Sequence, residues 1–193
     1  MIEGTQGFGL SVLHGGYYPK ATSRDTTAAA FVSEAGLSPL DVDQVVMVIR
    51  SFPIRVAGNS GPLPNEITWE ELAKSAGLPK QYCERTTVTQ KVRRVGKFDA
   101  QIVRNAIAHN NPNQIVLNHL DYIDASAHSE HYSEDVLRFV ERVEREIGRP
   151  VTWIGAAPDL LERRDDLPSP KIAGSSSRKQ CQSEQPTRLQ ASA

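Results

Sequence analysis

Apolar residues recur along the chain in two kinds of spacing, which predict alternating strands and helices. Short apolar runs at residues 45–49, 115–117 and 151–154 are typical of buried strands, and the third is expected to be the last strand. Residues 52–56 are expected to continue the first strand after a proline. In residues 133–148 apolar side chains return every three or four positions, as in an amphipathic helix. The alternation predicts an α/β fold with a mostly parallel sheet and crossover helices.

Local signals indicate where the predicted helices begin and end. Thr68 and Glu71 have the spacing of a capping box, which predicts a helix that Gly77 should end. Asp99 can cap a second helix, and Ser133 can cap the amphipathic helix. The sequence therefore predicts three well-delimited helices among the strands.

A change of composition near Asp166 divides the chain. Residues 1–165 have the patterns of a folded body, whereas residues 166–193 are rich in Ser, Gln and Pro. Such a segment has too few apolar side chains to offset the entropy of ordering it, so we expect a disordered, low-complexity tail. Residues 2–3 lead directly into a glycine turn at 4–9, so the chain is expected to begin within a structural element.

Composition and charge exclude several classes of function. The chain has 193 residues, with 22 Lys and Arg against 23 Asp and Glu, a formal net charge of −1. That balance argues against a strongly basic nucleic-acid-binding protein. The longest aliphatic run, residues 45–49, is too short to span a bilayer, and no leader follows Met1. Two cysteines form no disulfide framework or zinc pattern, so a cytoplasmic protein without nucleic-acid or membrane partners is expected.

Two segments near the start could contact a ligand. In the glycine turn at 4–9, backbone amides can approach a ligand closely, and the Gln6 amide can both donate and accept hydrogen bonds. No Gly-Lys-Ser/Thr follows, so this turn is not a P-loop. Residues 17–27 bring hydroxyls, an Arg and an Asp before a helical start at 28–30. This segment suits an anion, although simple helix capping fits it equally well.

Two later segments carry charge suited to nucleotides. Residues 86–97 contain three threonines and several cations, which could hold carboxylates or phosphates; their alternation also fits an exposed strand. Asp121 closely follows the strand at 115–117. A carboxylate there can accept hydrogen bonds from both N1–H and the exocyclic amine of guanine.

Taken in order, these segments resemble the motifs of adenylosuccinate synthetase. Residues 3–7 resemble the family's Glu-Gly-Ala-Gln-Gly element, and residues 14–28 resemble its His-Gly-Thr-Tyr-Pro and Thr-Ser-x-x-Thr-Thr-Ala stretch. Residues 55–66 resemble its Arg-Val-Gly and Gly-Pro-Phe-Pro-Thr-Glu motifs. The resemblance covers residues 2–159. It implies a P-loop-NTPase-like adenylosuccinate synthetase fold lacking its N-terminal part.

The family is a GTP-dependent ligase of purine nucleotide biosynthesis, which joins IMP to L-aspartate to form adenylosuccinate. GTP phosphorylates the purine O6, and the aspartate amine then displaces that phosphate. The resemblance assigns this chain's residues to three ligands. They are Gln6, Thr22 and Lys91 for IMP; Thr87, Thr89 and Gln90 for aspartate; and Arg93, His119, Asp121, Gly155, Ala156 and Ala157 for GTP.

Three positions depart from the family pattern. Lys91 replaces an Arg, Gln90 stands where a Gly is usual, and His119 replaces a Lys. Lys91 keeps the charge but loses the bidentate fork of arginine. These changes resemble a divergent short-form branch, which includes a phage-type enzyme that joins aspartate to a guanine nucleotide. That acceptor is therefore an alternative to IMP.

The family's N-terminal Gly-Lys loop, with its catalytic Asp and Mg²⁺ ligand, and a downstream His find no match in this sequence. No catalytic or metal-binding residue is therefore expected in this chain, and the chain alone is expected to be inactive. The resemblance implies a homodimer, and a complementing N-terminal half is an alternative partner. The same absence also fits a non-catalytic nucleotide-binding module or a gene remnant.

Overall fold

Four α-helices and seven β-strands form the part of the chain that the computed structural model describes, residues 1–14, 16–127 and 132–167. Most of the predicted tail, from residue 168 onward, lies outside the described residues. The helices are α1 (Ala28–Glu34), α2 (Trp69–Ala76), α3 (Ala100–Asn110) and α4 (Glu134–Ile147). The strands are β1 (Val46–Arg50), β2 (Ile54–Arg55), β3 (Glu66–Ile67), β4 (Arg94–Gly96), β5 (Gln114–Asn118), β6 (Trp153–Ala157) and β7 (Leu160–Arg163).

The larger sheet has the strand order β1-β5-β6-β7. β1 pairs with β5 and β5 with β6, both in parallel, which confirms the predicted mostly parallel α/β sheet. The prediction that residues 151–154 form the last strand is wrong, because β7 follows β6 and pairs with it antiparallel. Leu160 of β7 packs against the main core, so this strand buries apolar surface. The charged residues of β7 interrupt the apolar run by which a buried strand is recognised in the sequence.

The smaller sheet is antiparallel, in the order β2-β4-β3. The prediction that residues 52–56 continue the first strand is therefore wrong, because this segment contributes β2 to the smaller sheet. The proline after Phe52 has no N–H for a ladder, and the Phe52 side chain instead packs in the core beneath the smaller sheet. The proposed strand in residues 86–97 is limited to β4. Within this sheet Arg55 of β2 lies opposite Arg94 of β4.

The predicted helix boundaries are largely confirmed. Thr68 and Glu71 form the capping box at the start of α2, and Gly77 ends this helix in the left-handed conformation with φ 74°. Asp99 caps α3 by accepting a hydrogen bond from the Gln101 amide. Ser133 precedes α4, but its side chain makes no capping hydrogen bond.

Two apolar clusters hold these elements together. The main core lies between one face of the larger sheet and the helices α3 and α4, and it includes the predicted α4 stripe of Val136, Val140, Val143 and Ile147. The second cluster is formed by side chains of the smaller sheet and of α2, together with Tyr122. The opposite face of β1 is open, since Val46 and Val48 are 50% and 60% exposed. The two clusters leave the carboxyl ends of the parallel strands accessible.

The helices in the described part of the chain are all too short, or too polar, to cross a lipid bilayer.

Candidate functional site

The carboxyl ends of β1, β5 and β6 meet at one edge of the larger sheet, because the three strands are parallel neighbours. Ligands of open α/β sheets bind characteristically at this edge. Five of the residues predicted to bind GTP follow or end these strands. They are His119, Asp121, Gly155, Ala156 and Ala157. The structure thus brings together residues that lie more than thirty positions apart in the sequence.

His119 forms the corner between β5 and the following turn. Its backbone is left-handed, with φ 66°, and its carbonyl accepts a hydrogen bond from the Ser51 hydroxyl. Its ring lies 5.0 Å from the Tyr122 ring, centroid to centroid. Burial, reinforced by the nearby positive charge of Arg50, lowers the pKa of His119 to about 4. The imidazole is therefore neutral at pH 7.

Asp121 lies in a single 3₁₀ turn, Leu120–Tyr122, that anchors it between two buried side chains. Its carboxylate is 28% exposed and lies 4.0 Å from Nδ1 of His119. Burial raises the pKa of Asp121, and its own backbone amide and Arg50 oppose this shift. The carboxylate is thus held in place and still reachable by a ligand, as hydrogen-bond recognition of a base requires.

A polar network that the sequence did not reveal lies behind this turn. Arg50, at the end of β1, donates to Oε1 of Glu84, and the Tyr122 hydroxyl donates to the same oxygen at 2.5 Å. The Tyr82 and Tyr122 hydroxyls are 3.0 Å apart. A charged residue directly after the apolar run at 45–49 is a signal that could have identified Arg50. Glu84 lies in a loop and carries no comparable signal.

The residues predicted to bind aspartate form a closed turn. The backbone N–H of Gln90 donates to the Thr86 carbonyl at 3.0 Å, and the backbone N–H of Lys91 donates to the Thr86 hydroxyl at 3.0 Å. Thr87, Thr89 and Gln90 are exposed at the tip of this turn. Gln90 is left-handed, with φ 52°, a conformation that glycine adopts more readily. The turn therefore presents hydroxyl and amide groups to solvent.

Gln6 and Thr22, both predicted to bind IMP, are in direct contact. The Thr22 hydroxyl donates to Oε1 of Gln6 at 3.0 Å, and both residues are exposed. Within the described residues no hydrogen bond joins Lys91 to this pair. The structure therefore unites two of the three predicted IMP residues.

Arg55 holds the segments around the Gln6–Thr22 pair. It is 6% exposed and donates to the carbonyls of Gly9 at 3.3 Å, Lys20 at 3.0 Å and Ser60 at 2.8 Å. Its guanidinium also lies over the Tyr17 ring, 5.3 Å from the centroid. The sequence placed Arg55 in a motif but did not identify it as a residue of the site.

Among residues 1–14, 16–127 and 132–167, no three His, Cys, Asp or Glu side chains are grouped so that they could hold a metal ion. The resemblance places the Mg²⁺ ligand in the family's N-terminal loop, and none of the residues described here is assigned to that ion. The chemistry of the site described here consists of hydrogen bonding and charge.

Comparison with known sequences identifies the family. The family model of adenylosuccinate synthetase matches residues 1–130. The chain is 41% identical over 174 residues to the adenylosuccinate synthetase of Thermococcus onnurineus, covering 86% of this chain and 49% of that protein. It is 40% identical over 169 residues to the enzyme of Methanocaldococcus jannaschii, covering 86% of this chain and 47% of that protein. The chain thus spans about half the length of these curated relatives.

Comparison with solved structures supports the fold. The cyanophage S-2L succinoaminodeoxyadenylate synthetase, bound to dGMP and to dATP as an energy donor, is 34% identical with a TM-score of 0.64, covering 83% of this chain and 45% of that one. The fully ligated adenylosuccinate synthetase of Plasmodium falciparum has a TM-score of 0.65 at 20% identity, covering 81% of this chain and 47% of that one. The second likeness shows the fold alone.

Proposed function

The chain belongs to the adenylosuccinate synthetase family, and we propose that it carries nucleotide- and aspartate-binding residues of a GTP-dependent ligase that joins IMP to L-aspartate. The main support is the grouping of Asp121 with His119 and the end of β6 at the carboxyl edge of the parallel sheet. The proposal assigns this edge to the base of GTP.

Asp121 is proposed to select guanine. Its carboxylate can accept hydrogen bonds from N1–H and from the exocyclic amine of guanine, whereas adenine has an acceptor at N1. Gly155 has no Cβ, and the Asn118 side chain packs directly against its backbone at this edge. The neutral imidazole of His119 offers a flat surface beside the carboxylate instead of a second positive charge. Ala157, exposed at the end of β6, completes the proposed base pocket together with the backbone of Ala156, whose side chain lies in the main core.

Arg93 and the turn of Thr87, Thr89 and Gln90 are proposed to hold the charged parts of the substrates. Guanidinium groups form charge-assisted hydrogen bonds with phosphates, which suits Arg93 to GTP. The exposed hydroxyls and amide of the turn suit the carboxylates of L-aspartate. The proposal thus places both ligands along one continuous segment, residues 86–93.

Gln6 and Thr22 are proposed to contact IMP, with Lys91 supplying a positive charge. The Gln6 amide can donate to one ligand atom and accept from another while Thr22 orients it. In the reaction, the γ-phosphoryl group of GTP is transferred to the purine O6, and the aspartate amine then displaces phosphate. The residues proposed here bind and orient the three reactants. A cytoplasmic location and assembly as a homodimer, or with a complementing N-terminal half, are part of the same proposal.

Isothermal titration of the 193-residue chain with GTP, ATP and IMP tests this function. We expect GTP to bind more tightly than ATP, and Asp121→Asn to weaken GTP binding by about tenfold through the lost charge-assisted hydrogen bonds. Asp135→Asn is the matched control, because the Asp135 side chain is 82% exposed at the start of α4. A folded chain that does not bind GTP would contradict the proposal.

The cyanophage relative supports a second candidate, in which a guanine nucleotide accepts aspartate and an adenine nucleotide is the donor. That protein is bound to dGMP and dATP and is 34% identical to this chain. The same titration with dGMP and dATP separates the candidates. Tighter binding of dGMP than of IMP, together with tighter binding of dATP than of GTP, would favour the second candidate.

A further inference from the structure

Glu84 lies between the proposed base site and the proposed phosphate-binding arginine. Its Oε1 accepts hydrogen bonds from the Arg50 guanidinium and from the Tyr122 hydroxyl. Its Oε2 lies 4.0 Å from Nε of Arg93. The Glu84 side chain is only 20% exposed, so these contacts are poorly screened by solvent. One carboxylate therefore contacts groups from both subsites.

The backbone reinforces this link. The Arg93 amide donates to the Glu84 carbonyl at 2.8 Å, and Arg85 and Val92 form an isolated antiparallel bridge. Glu84 and Arg93 thus close the base of the loop formed by residues 85–92. The Arg93 carbonyl accepts a hydrogen bond from the Trp69 indole at 2.6 Å, which fixes this base to α2. A displacement of Glu84 would therefore displace the whole loop.

Tyr122 connects the same carboxylate to Asp121. The ring is 1% exposed and packs edge-on against Trp69 and Tyr82. Because Tyr122 directly follows Asp121 in one tight turn, the position of its hydroxyl and the direction of the Asp121 carboxylate are linked. Within the described residues, Nε of Arg93 is buried without a hydrogen-bond partner.

We propose that Glu84 is a positioning residue that couples base recognition at Asp121 to the 85–92 loop and Arg93. The inference rests on the proposed function of these two subsites. A ligand that engages Asp121 would hold the turn of Tyr122, and through Glu84 it would hold the base of the loop. Binding of a guanine nucleotide would then favour binding of L-aspartate at the loop tip, and the effect would be reciprocal.

The test compares Glu84→Gln with the wild-type chain in titrations with GTP, with ITP and with L-aspartate in the presence and absence of GTP. ITP lacks the exocyclic amine of guanine, so the ratio of the two dissociation constants reports the geometry at Asp121. Wild type is expected to prefer GTP by about tenfold, the value of one good charge-assisted hydrogen bond. Glu84→Gln is expected to lose most of this preference for GTP over ITP. In this variant GTP should no longer raise the affinity for L-aspartate, and the affinity for IMP should be unchanged. Glu70→Gln, exposed on α2, is the matched control.

The outcomes separate this inference from the proposed function. A wild-type chain that binds no GTP contradicts the proposed function, and the inference falls with it. A wild-type chain that discriminates GTP from ITP, with Glu84→Gln doing so equally well, overturns the inference alone. If Glu84→Gln does not fold, Tyr122→Phe removes only the hydroxyl and is expected to reduce the preference in the same direction. Independent binding of GTP and L-aspartate to wild type would also overturn the coupling.

Discussion

The backbone of Gly155 lies against the side chain of Asn118 so closely that a Cβ on Gly155 would be 2.4 Å from the amide oxygen. The same Cβ would lie 3.4 Å from the Leu160 carbonyl oxygen. A side chain at position 155 would therefore displace the Asn118 side chain at the edge proposed to hold the base, whereas the φ angle of Gly155 plays no part.

Gly155→Ala is expected to lower the free energy of unfolding by about 1–3 kcal/mol, because the Asn118 side chain must shift to admit the methyl group. It should also weaken binding at the carboxyl edge of the sheet. Chemical denaturation measures the first effect and GTP titration the second. Gly7→Ala is the control, since a Cβ there meets nothing within 4 Å. Equal stability of the two variants would contradict the packing argument.

Arg55→Met is expected to destabilise the protein by about 3 kcal/mol. The substitution removes a buried charge whose hydrogen bonds satisfy carbonyls on three separate segments, and it leaves those carbonyls unpaired. Thermal or urea denaturation measures the loss. Arg145→Met, on the exposed side of α4, should change stability by less than about 0.5 kcal/mol. A small effect at both positions would show that Arg55 does not organise the glycine turn.

The stability of the protein should depend on pH through His119. Its pKa is about 4 in the folded state against 6.5 for an unperturbed histidine, so the unfolded chain takes up the proton first as the pH falls. The stabilising contribution is complete above about pH 6.5 and is lost progressively between pH 6.5 and 4.

His119→Asn tests this pH dependence, since asparagine tolerates the left-handed backbone of this position. The variant should show a flatter decline of unfolding free energy between about pH 7 and 4.5, measured by urea denaturation. His109→Asn, at an exposed position of α3, serves as the comparison. If the wild type and His119→Asn decline in parallel, the imidazole is not buried as described.

Gln90→Val is expected to destabilise the Thr86–Lys91 turn by about 1–2 kcal/mol, because a β-branched side chain is strained in the left-handed region. Gln90→Asn, which suits that region, should retain wild-type stability. Limited proteolysis of the turn, together with urea denaturation, distinguishes the two variants. Similar losses in both would assign the effect to the side-chain bond that Gln90 donates to the Thr87 carbonyl at 2.9 Å.

Features encoded locally could be predicted from the sequence. The capping box of Thr68 and the buried stripe of α4 depend on residues three or four positions apart, and both are present in the structure. The placement of Asp121 at a strand end followed from one apolar run and the residues after it. Parallel pairing then brought this residue beside the end of β6, as the order of elements implied.

Features that depend on distant contacts could not be predicted in the same way. Arg55 donates to Gly9 across 46 positions, and Tyr122 donates to Glu84 across 38. Nothing in the local pattern around Glu84 distinguishes it from a solvated loop residue. The short strands β2 and β3 have two residues each, too few to show a periodicity. Tertiary pairing with β4 determines their structure.

The open face of β1 has a consequence for handling the protein. In the described part of the chain β1 forms one edge of the larger sheet, and it carries Val46 and Val48 on its exposed side. An apolar edge strand of this kind templates lateral strand addition, so concentrated samples should aggregate through it. A charged gatekeeper, Val48→Lys, should raise the concentration at which light scattering detects this aggregation while leaving the core unchanged.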